Sequence, residues 1–184
     1  MIINKIFSIS ILILLSPVLL IISLKIIIQD GRPVIFKQKR IGKDNKEFDI
    51  YKFRTMKLDT PNKETDTLVN PKKYLIRSGA FLRKYSLDEI PQLFNILKNE
   101  MNIIGPRPAL YNQTKLIEDR TKLGIQSIKP GITGWAQVNG RDEISMSKKI
   151  ELDYYFLNNK SIILNIKILF LTIFKVVRST NIKS

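Results

Sequence analysis

SLDEIPQLFNILKNEMNIIGPRP (residues 86–108) places two adjacent carboxylates, Asp88 and Glu89, beside the start of a predicted helix over 86–99. Ser86 and Glu89 match a capping box, in which the two side chains satisfy backbone N–H groups. With Ser86 as N-cap, Pro91 is the fifth helical residue and removes a hydrogen bond. If Asp88 is the N-cap instead, Pro91 falls in the first turn, where proline is tolerated. Both interpretations are compatible with the sequence.

Basic residues flank this carboxylate pair. Arg83 precedes it, Arg107 lies between two prolines in GPRP, and Arg141 follows the turn in VNGR. Guanidinium groups hold phosphate oxygens, and Mg²⁺ on a carboxylate neutralises further charge, so the set indicates phosphoryl transfer. Each arginine taken alone is more typical of a solvated surface, and spacing by itself leaves the site a hypothesis.

The composition of the 184 residues excludes several kinds of chemistry, because the chain contains neither cysteine nor histidine. Thiolate nucleophiles, disulfides, ordinary zinc sites and imidazole bases are therefore absent. Residues 1–30 contain Lys5, Lys25 and Asp30 and contribute only +1 of the formal net charge of +15, which leaves +14 for residues 31–184. Such a charge favours phosphate-bearing ligands, an anionic membrane face or nucleic acid.

The most apolar stretch runs from residue 6 to residue 24 without a charge, between Lys5 and Lys25. A continuous helix of that length is about 28 Å long, which is enough to span a bilayer. Pro17 leaves the carbonyl of Ile13 without its helical donor, and the Ser16 hydroxyl can bond back into that turn, so a kink is expected. A kinked spanning helix and a re-entrant pair with both ends on one face both fit the basic flanks.

The remaining segments predict helices with a small amount of strand. DGRPVIF (30–36) and KEFDIYKFRTM (46–56) predict a β-hairpin, in which Lys52 and Arg54 lie on the same strand face. These two residues belong either to a functional site or to a solvated strand edge. Residues 57–72 predict a surface loop, and helical patterning recurs over 111–124 and 145–159. Apolar spacing in 161–179 fits a helix in the membrane interface or a core helix, and Lys167 disfavours a second span.

Four segments in this order resemble the bacterial sugar transferases, the monotopic polyprenyl-phosphate phosphoglycosyl transferases. They are LLSPVLL (14–20), FDIYKFRTM (48–56), the 86–108 segment and KPGITGWAQVNGR (129–141). The resemblance covers nearly the whole chain and is that of a minimal catalytic unit. It implies transfer of a sugar-1-phosphate from a UDP-sugar to undecaprenyl phosphate, which initiates glycan assembly, with downstream glycosyltransferases as partners and no nucleic acid.

The same resemblance implies roles for individual residues. Asp88 is the expected nucleophile, which attacks the donor β-phosphate, expels UMP and forms a covalent phosphosugar aspartate. Glu89 is the expected second catalytic residue and the ligand of a Mg²⁺ cofactor. The motif positions expected to bind donor or acceptor phosphates are Lys52, Arg83, Arg107 and Arg141. No position in the sequence selects one hexose over another.

The resemblance also resolves the expected architecture. It implies an α+β, mainly helical monotopic membrane protein, with Ser16 and Pro17 breaking a re-entrant helix over residues 1–29, a small β-hairpin and interfacial amphipathic helices. The catalytic domain, 30–184, is expected on the cytoplasmic face of the bacterial inner membrane and ends in an interfacial helix over about 161–178. The alternative function is a non-enzymatic, membrane-anchored basic adaptor that binds anionic lipid or nucleic acid.

Overall fold

The computed structural model describes residues 2–61, 70–140 and 144–178. The helices are α1 (Ile2–Leu14), α2 (Ser16–Asp30), α3 (Gly79–Lys84), α4 (Leu93–Leu97), α5 (Thr114–Lys122), α6 (Trp135–Val138), α7 (Met146–Asn158) and α8 (Ile162–Arg178). Short 3₁₀ helices cover Lys43–Asn45, Pro71–Tyr74, Leu87–Gln92 and Ile125–Ser127. The strands are β1 (Ile35–Ile41), β2 (Glu47–Phe53), β3 (Asn102–Ile104), β4 (Ala109–Leu110) and β5 (Gly131–Thr133). The predicted mainly helical α+β fold is confirmed.

The predicted hairpin is formed by β1 and β2, whose antiparallel register pairs Ile35 with Phe53 and Ile41 with Glu47. β4 pairs with the other edge of β1, which gives a sheet of order β2-β1-β4. A second, parallel pair consists of β3 and β5. The strand predicted over 46–56 therefore ends at Phe53, and Arg54 lies beyond it.

The outer edge of β2 is covered by a side chain rather than by a further strand. Asn95 of α4 is fully buried, and its Nδ2 donates to the carbonyl of Asp49 at 2.7 Å. Its Oδ1 accepts from the backbone N–H of Tyr51 at 3.1 Å. These bonds satisfy backbone groups that an open edge leaves unpaired, and they fix α4 against the sheet.

The apolar N-terminal segment is broken as expected, since α1 and α2 meet at a bend of 62°. Pro17 has no N–H for the carbonyl of Ile13, and the Ser16 hydroxyl donates to that carbonyl at 2.8 Å instead. In the part of the chain that the structure describes, no single helix has both the length and the hydropathy to cross a membrane. The bent pair reaches both limits together.

Both ends of this helix pair are bonded to the rest of the chain. Near the start of α1, Asn4 Nδ2 donates to Asn102 Oδ1 at 3.2 Å. Beyond the end of α2, the buried Arg54 donates to the carbonyls of Asp30 (2.9 Å), Gly31 (2.7 Å) and Pro33 (2.7 Å). Arg54 thus pairs carbonyls that a helix end leaves without donors. A pair fixed at both ends in this way is compatible with a re-entrant segment.

The C-terminal helix α8 has a buried and an exposed apolar face. Leu164 and Ile168 are 9% and 0% exposed and pack with Val138 and Phe156. The exposed apolar side chains of the helix include Ile162, Ile163, Ile166, Phe170 and Ile173. One face of α8 is therefore part of the core, and the other has the apolar character expected of an interfacial helix.

The helix predicted over 86–99 is divided at Leu93. Its first part is a 3₁₀ helix, Leu87–Gln92, that contains Pro91, and only its second part is α4. Among the described residues Ser86 makes no side-chain cap bond, and its φ is 54°, so the capping box is wrong. Asp88 is not the N-cap either, because it is the second residue of the 3₁₀ helix. The other predicted helices agree more closely, with α5 inside 111–124 and α7 inside 145–159.

Replacing Arg54 with alanine should lower the free energy of unfolding by about 2–3 kcal/mol, because buried carbonyl oxygens lose a charged donor. Chemical unfolding of the detergent-solubilised protein, followed by circular dichroism, measures this change. Arg32→Ala is the matched control, since Arg32 lies in the turn that Arg54 binds and is itself exposed. Equal stability of the two variants would contradict the assignment of Arg54 to the end of α2.

Candidate active site

The two adjacent carboxylates lie in the 3₁₀ helix between two hydrophobic anchors. With about three residues per turn, Leu87 and Ile90 lie on the same face of this helix. Leu87 packs against the core cluster beneath α2, and Ile90 packs against the cluster that joins β2 to α4. Asp88 and Glu89 between them are each 7% exposed. The packing of Leu87 and Ile90 therefore holds the buried carboxylate pair in place.

Glu89 accepts from cations on two other elements. Its Oε1 lies 2.8 Å from Lys52 Nζ of β2 and 3.4 Å from Arg107 Nη1. The Lys52 side chain is 16% exposed and that of Arg107 is 33% exposed, so this contact is only partly open to water. The structure thus brings Lys52, Glu89 and Arg107 together. The alternative of a solvated strand edge is wrong for Lys52, and also for Arg54, which is 4% exposed.

Electrostatics join Lys52 to both carboxylates. Burial lowers the pKa of Lys52 below its ordinary value, and the nearby positive charges of Arg107 and Arg40 act in the same direction. The negative charges of Glu89 and Asp88 raise this pKa and so oppose the effect of burial. The two carboxylates therefore favour the charged form of Lys52.

The turn that carries Arg107 is held by hydrogen bonds that its backbone carbonyls accept from other elements. The carbonyl of Pro106 accepts from Gly131 N at 2.9 Å, and the carbonyl of Pro108 accepts from Arg40 Nη1 at 3.1 Å. Gly131 is needed for the first contact, because a Cβ there would lie 2.1 Å from the backbone N of Gly105. Prolines on both sides also limit the backbone torsions, so Arg107 extends from a rigid support.

The two other basic residues predicted for the site are Arg83 and Arg141. Arg83 lies in α3, directly before the turn at Ser86, and its Nε donates to Thr55 Oγ1 at 2.9 Å. Arg141 lies outside the described residues.

Ser86 adopts a left-handed backbone conformation, with φ of 54°, which is costly for a residue with a side chain. This turn redirects the chain from α3 into the segment that holds the carboxylates.

A cavity of about 320 Å³ opens beside Glu89. Its walls come from α1, the 3₁₀ helix, β5, α6 and α8, and each of these elements contributes an apolar side chain. Those side chains include Ile11, Leu15, Ile90, Ile132, Val138 and Val176. The charged residues on the cavity are Glu89, Arg107 and Lys175. Apolar walls beside such charges fit a ligand that has both a hydrocarbon part and a phosphate.

The expected magnesium ligand, Glu89, has a suitable neighbour. The described residues contain no cluster of three or more acidic, histidine or cysteine side chains that could hold an ion by themselves. Mg²⁺, however, is commonly held by one or two carboxylates together with substrate phosphates and water. Glu89 provides a carboxylate of that kind, and Asp88 is the preceding residue in the chain. The donor set therefore fits an ion shared with a phosphate substrate.

Sequence reasoning missed three polar residues that support the site. Arg40 of β1 contacts the Arg107 turn, and Arg120 of α5 donates to the carbonyl of Arg107 at 2.9 Å. Asp153 of α7 forms a buried ion pair with Arg120 at 2.5 Å. In the sequence each of them is one charge among many in a strongly basic chain. No local pattern indicates that they meet.

The chain is similar to known bacterial proteins over most of its length. The family model described as bacterial sugar transferase matches residues 1–179. The chain is 44% identical over 153 residues to the uncharacterized sugar transferase EpsL of Bacillus subtilis, covering 83% of this chain and 74% of that protein.

Two further relatives have more informative names. The UDP-glucose:undecaprenyl-phosphate glucose-1-phosphate transferase of Escherichia coli is 41% identical over 174 residues, which are 90% of this chain and 37% of that protein. The UDP-N-acetylgalactosamine-undecaprenyl-phosphate N-acetylgalactosaminephosphotransferase of Aeromonas hydrophila is 36% identical over 165 residues, which are 87% of this chain and 39% of that protein. The chain therefore spans less than two fifths of these longer relatives.

Replacing Glu89 with glutamine should lower the pKa of Lys52 further, because burial and Arg107 then act without the main opposing charge. Reductive ¹³C-methylation of the lysines and an NMR titration at alkaline pH measure that pKa. Glu47→Gln is the matched control: it should lower the pKa of exposed Lys39, which Glu47 raises, and leave that of Lys52 unchanged. A Lys52 pKa that stays constant or rises in Glu89→Gln would contradict the pairing.

Proposed function

The chain belongs to the bacterial sugar transferase family, and we propose that it transfers a sugar-1-phosphate from a UDP-sugar to undecaprenyl phosphate, with release of UMP. The observation that carries this proposal is the buried pair Asp88 and Glu89, of which Glu89 contacts Lys52 and Arg107 and lines an apolar cavity. The names of the Escherichia coli and Aeromonas hydrophila relatives contain a UDP-sugar and undecaprenyl phosphate. Relatives named for different sugars match to a similar degree, so the proposal covers UDP-sugars as a class.

The proposed reaction has two displacements at one phosphorus atom. A carboxylate oxygen of Asp88 attacks the β-phosphorus of the donor, and the bond from that phosphorus to the bridging oxygen breaks. UMP leaves with the electron pair, and the sugar-1-phosphate remains on Asp88 as an acyl phosphate. An oxygen of undecaprenyl phosphate then attacks the same phosphorus, and the carboxylate of Asp88 is released. Covalent catalysis of this kind needs neither imidazole nor thiolate, which this chain lacks.

The cations of the site have a consistent role in both displacements. Lys52 and Arg107 can neutralise phosphate oxygens as charge moves onto the leaving group. Mg²⁺ bound to Glu89 and to substrate phosphates would add Lewis-acid stabilisation of the same charge. Glu89 also pairs with both cations in the protein alone, so it holds them in the site before a substrate binds.

The cavity supports a lipid acceptor. Its apolar walls offer contact to hydrocarbon, and Arg107 and Lys175 offer positive charge to a phosphate. The exposed apolar faces of α1, α2 and α8 support the location that we propose, in which the residues 1–29 re-enter one leaflet. The domain formed by residues 30–184 then lies on the cytoplasmic face of the bacterial inner membrane. The water-soluble donor and the lipid phosphate would meet there at the headgroup plane.

Asp88→Asn should reduce UMP release about a thousandfold or more, because the amide cannot form the acyl phosphate. The assay uses membranes, undecaprenyl phosphate, Mg²⁺ and a panel of UDP-sugars. A donor labelled in the sugar phosphate should label the native protein and not Asp88→Asn. Asp49→Asn, an exposed aspartate on β2, is the matched control and should retain activity.

Two outcomes would contradict the proposal in different ways. Full activity of Asp88→Asn would exclude the covalent aspartate. Absence of UMP release from the native protein with every UDP-sugar, together with salt-sensitive lipid or nucleic-acid binding that is indifferent to Asp88, would favour the basic adaptor instead.

The re-entrant arrangement makes a separate prediction about labelling. Because the chain has no cysteine, Lys5→Cys and Lys25→Cys each introduce a single thiol without background. Both thiols should react with an impermeant maleimide from the cytoplasmic side in inverted vesicles, and neither should react in right-side-out vesicles. Lys122→Cys on α5 reports the side on which the domain lies. Labelling of positions 5 and 25 from opposite sides would show a spanning helix.

A further inference from the structure

A buried ion pair outside the carboxylate site is connected to that site through a backbone bond. Arg120 Nη2 of α5 lies 2.5 Å from Asp153 Oδ2 of α7, with side-chain exposures of 5% and 1%. The other terminal nitrogen of Arg120, Nη1, donates to the carbonyl of Arg107 at 2.9 Å. One guanidinium therefore links α7 to the turn whose arginine faces Glu89.

This bond completes the support of the turn at its central residue. The carbonyls of Pro106 and Pro108 accept from Gly131 and Arg40, and Arg120 alone of these donors binds the carbonyl of residue 107 itself. The three donors come from β5, β1 and α5. The orientation of the peptide after Arg107 determines where its side chain begins, so a lost donor at this carbonyl would displace the guanidinium from Glu89.

Packing alone does not explain a charged pair in this place. Burial raises the pKa of Asp153 although the charge of Arg120 opposes that shift, which indicates a large desolvation cost. Apolar residues of similar volume often replace buried ion pairs without loss of stability. Two such residues could join α5 to α7 equally well, but neither could donate to the carbonyl of Arg107. The backbone bond is the property that requires an arginine here.

We propose that Arg120, oriented by Asp153, is a positioning residue that fixes Arg107 for contact with the substrate phosphate. The inference rests on the proposed phosphoglycosyl transfer, in which Arg107 binds phosphate. Arg120 acts through Arg107 and touches neither substrate. Removal of Arg120 and removal of Arg107 should therefore have the same consequence, and their effects should not add.

A double-mutant cycle tests this coupling. Arg120→Met and Arg107→Ala should each reduce kcat/KM for UMP release about 10- to 100-fold, as expected for a bond to a charged group. In the Arg107→Ala background, Arg120→Met should reduce it no further than about twofold. A purely structural role would reduce activity by the same factor in both backgrounds, and that result would overturn the inference.

A second variant covers the case in which Arg120→Met leaves Asp153 unpaired and fails to fold. The apolar pair Arg120→Met with Asp153→Leu should unfold at a denaturant concentration close to that of the native protein and lose activity as Arg107→Ala does. Native activity in this folded variant would overturn the inference. Lys115→Ala removes an exposed ion pair with Asp119 on the same helix and is the matched control.

The same cycle measured by calorimetry, as the Kd for UDP, requires no turnover. Non-additive losses of UDP affinity without UMP release by the native protein would support the positioning role and reject the proposed function alone. Additive losses of affinity would reject the positioning role, whether or not UMP is released. If the native protein neither binds UDP nor releases UMP from any UDP-sugar, both proposals fail.

Discussion

The buried carboxylate of Glu89 imposes the main constraint on this structure. A carboxylate removed from water is unfavourable unless cations and hydrogen bonds compensate it, and here Lys52 and Arg107 supply that compensation. The β-hairpin is needed to deliver Lys52, and the turn between β3 and β4 is needed to deliver Arg107. The two core clusters against which Leu87 and Ile90 pack hold Glu89 where these two groups meet. Most of the architecture can be understood as the means by which distant segments reach one carboxyl group.

Reasoning from the sequence succeeds where the structure depends on residues that are close together in the chain. The kink at Pro17 and the return bond from Ser16 depend on neighbours within one helical turn, so local chemistry is sufficient to predict them. The hairpin and α7 follow from alternation and helical periodicity. Lys52 and Glu89 are 37 residues apart, and only the ordered motifs of the family resemblance indicated that both belong to one site.

Reasoning from the sequence fails where tertiary packing overrides a local pattern. Ser86 and Glu89 have the spacing of a capping box, but the packing of the partly buried Leu87 and Ile90 against separate clusters favours a 3₁₀ helix in which Glu89 contacts Lys52. Arg120 and Asp153 lie 33 residues apart on different helices, and each resembles an ordinary surface charge. Arg120 is thus one of the basic residues that form buried interactions inside the protein, which net charge alone does not reveal.

The serine bond at the helix break has a further consequence for the proposed monotopic arrangement. Because the Ser16 hydroxyl donates to the carbonyl that Pro17 leaves, this carbonyl needs neither water nor a partner helix as its donor. A helix pair that enters and leaves through one face contacts one leaflet only. Its fit then does not depend on matching the hydrocarbon thickness of the whole bilayer, the quantity to which a spanning helix must adapt by tilting or by deforming the lipid. Such a protein would tolerate membranes of different acyl-chain length with the same active-site height.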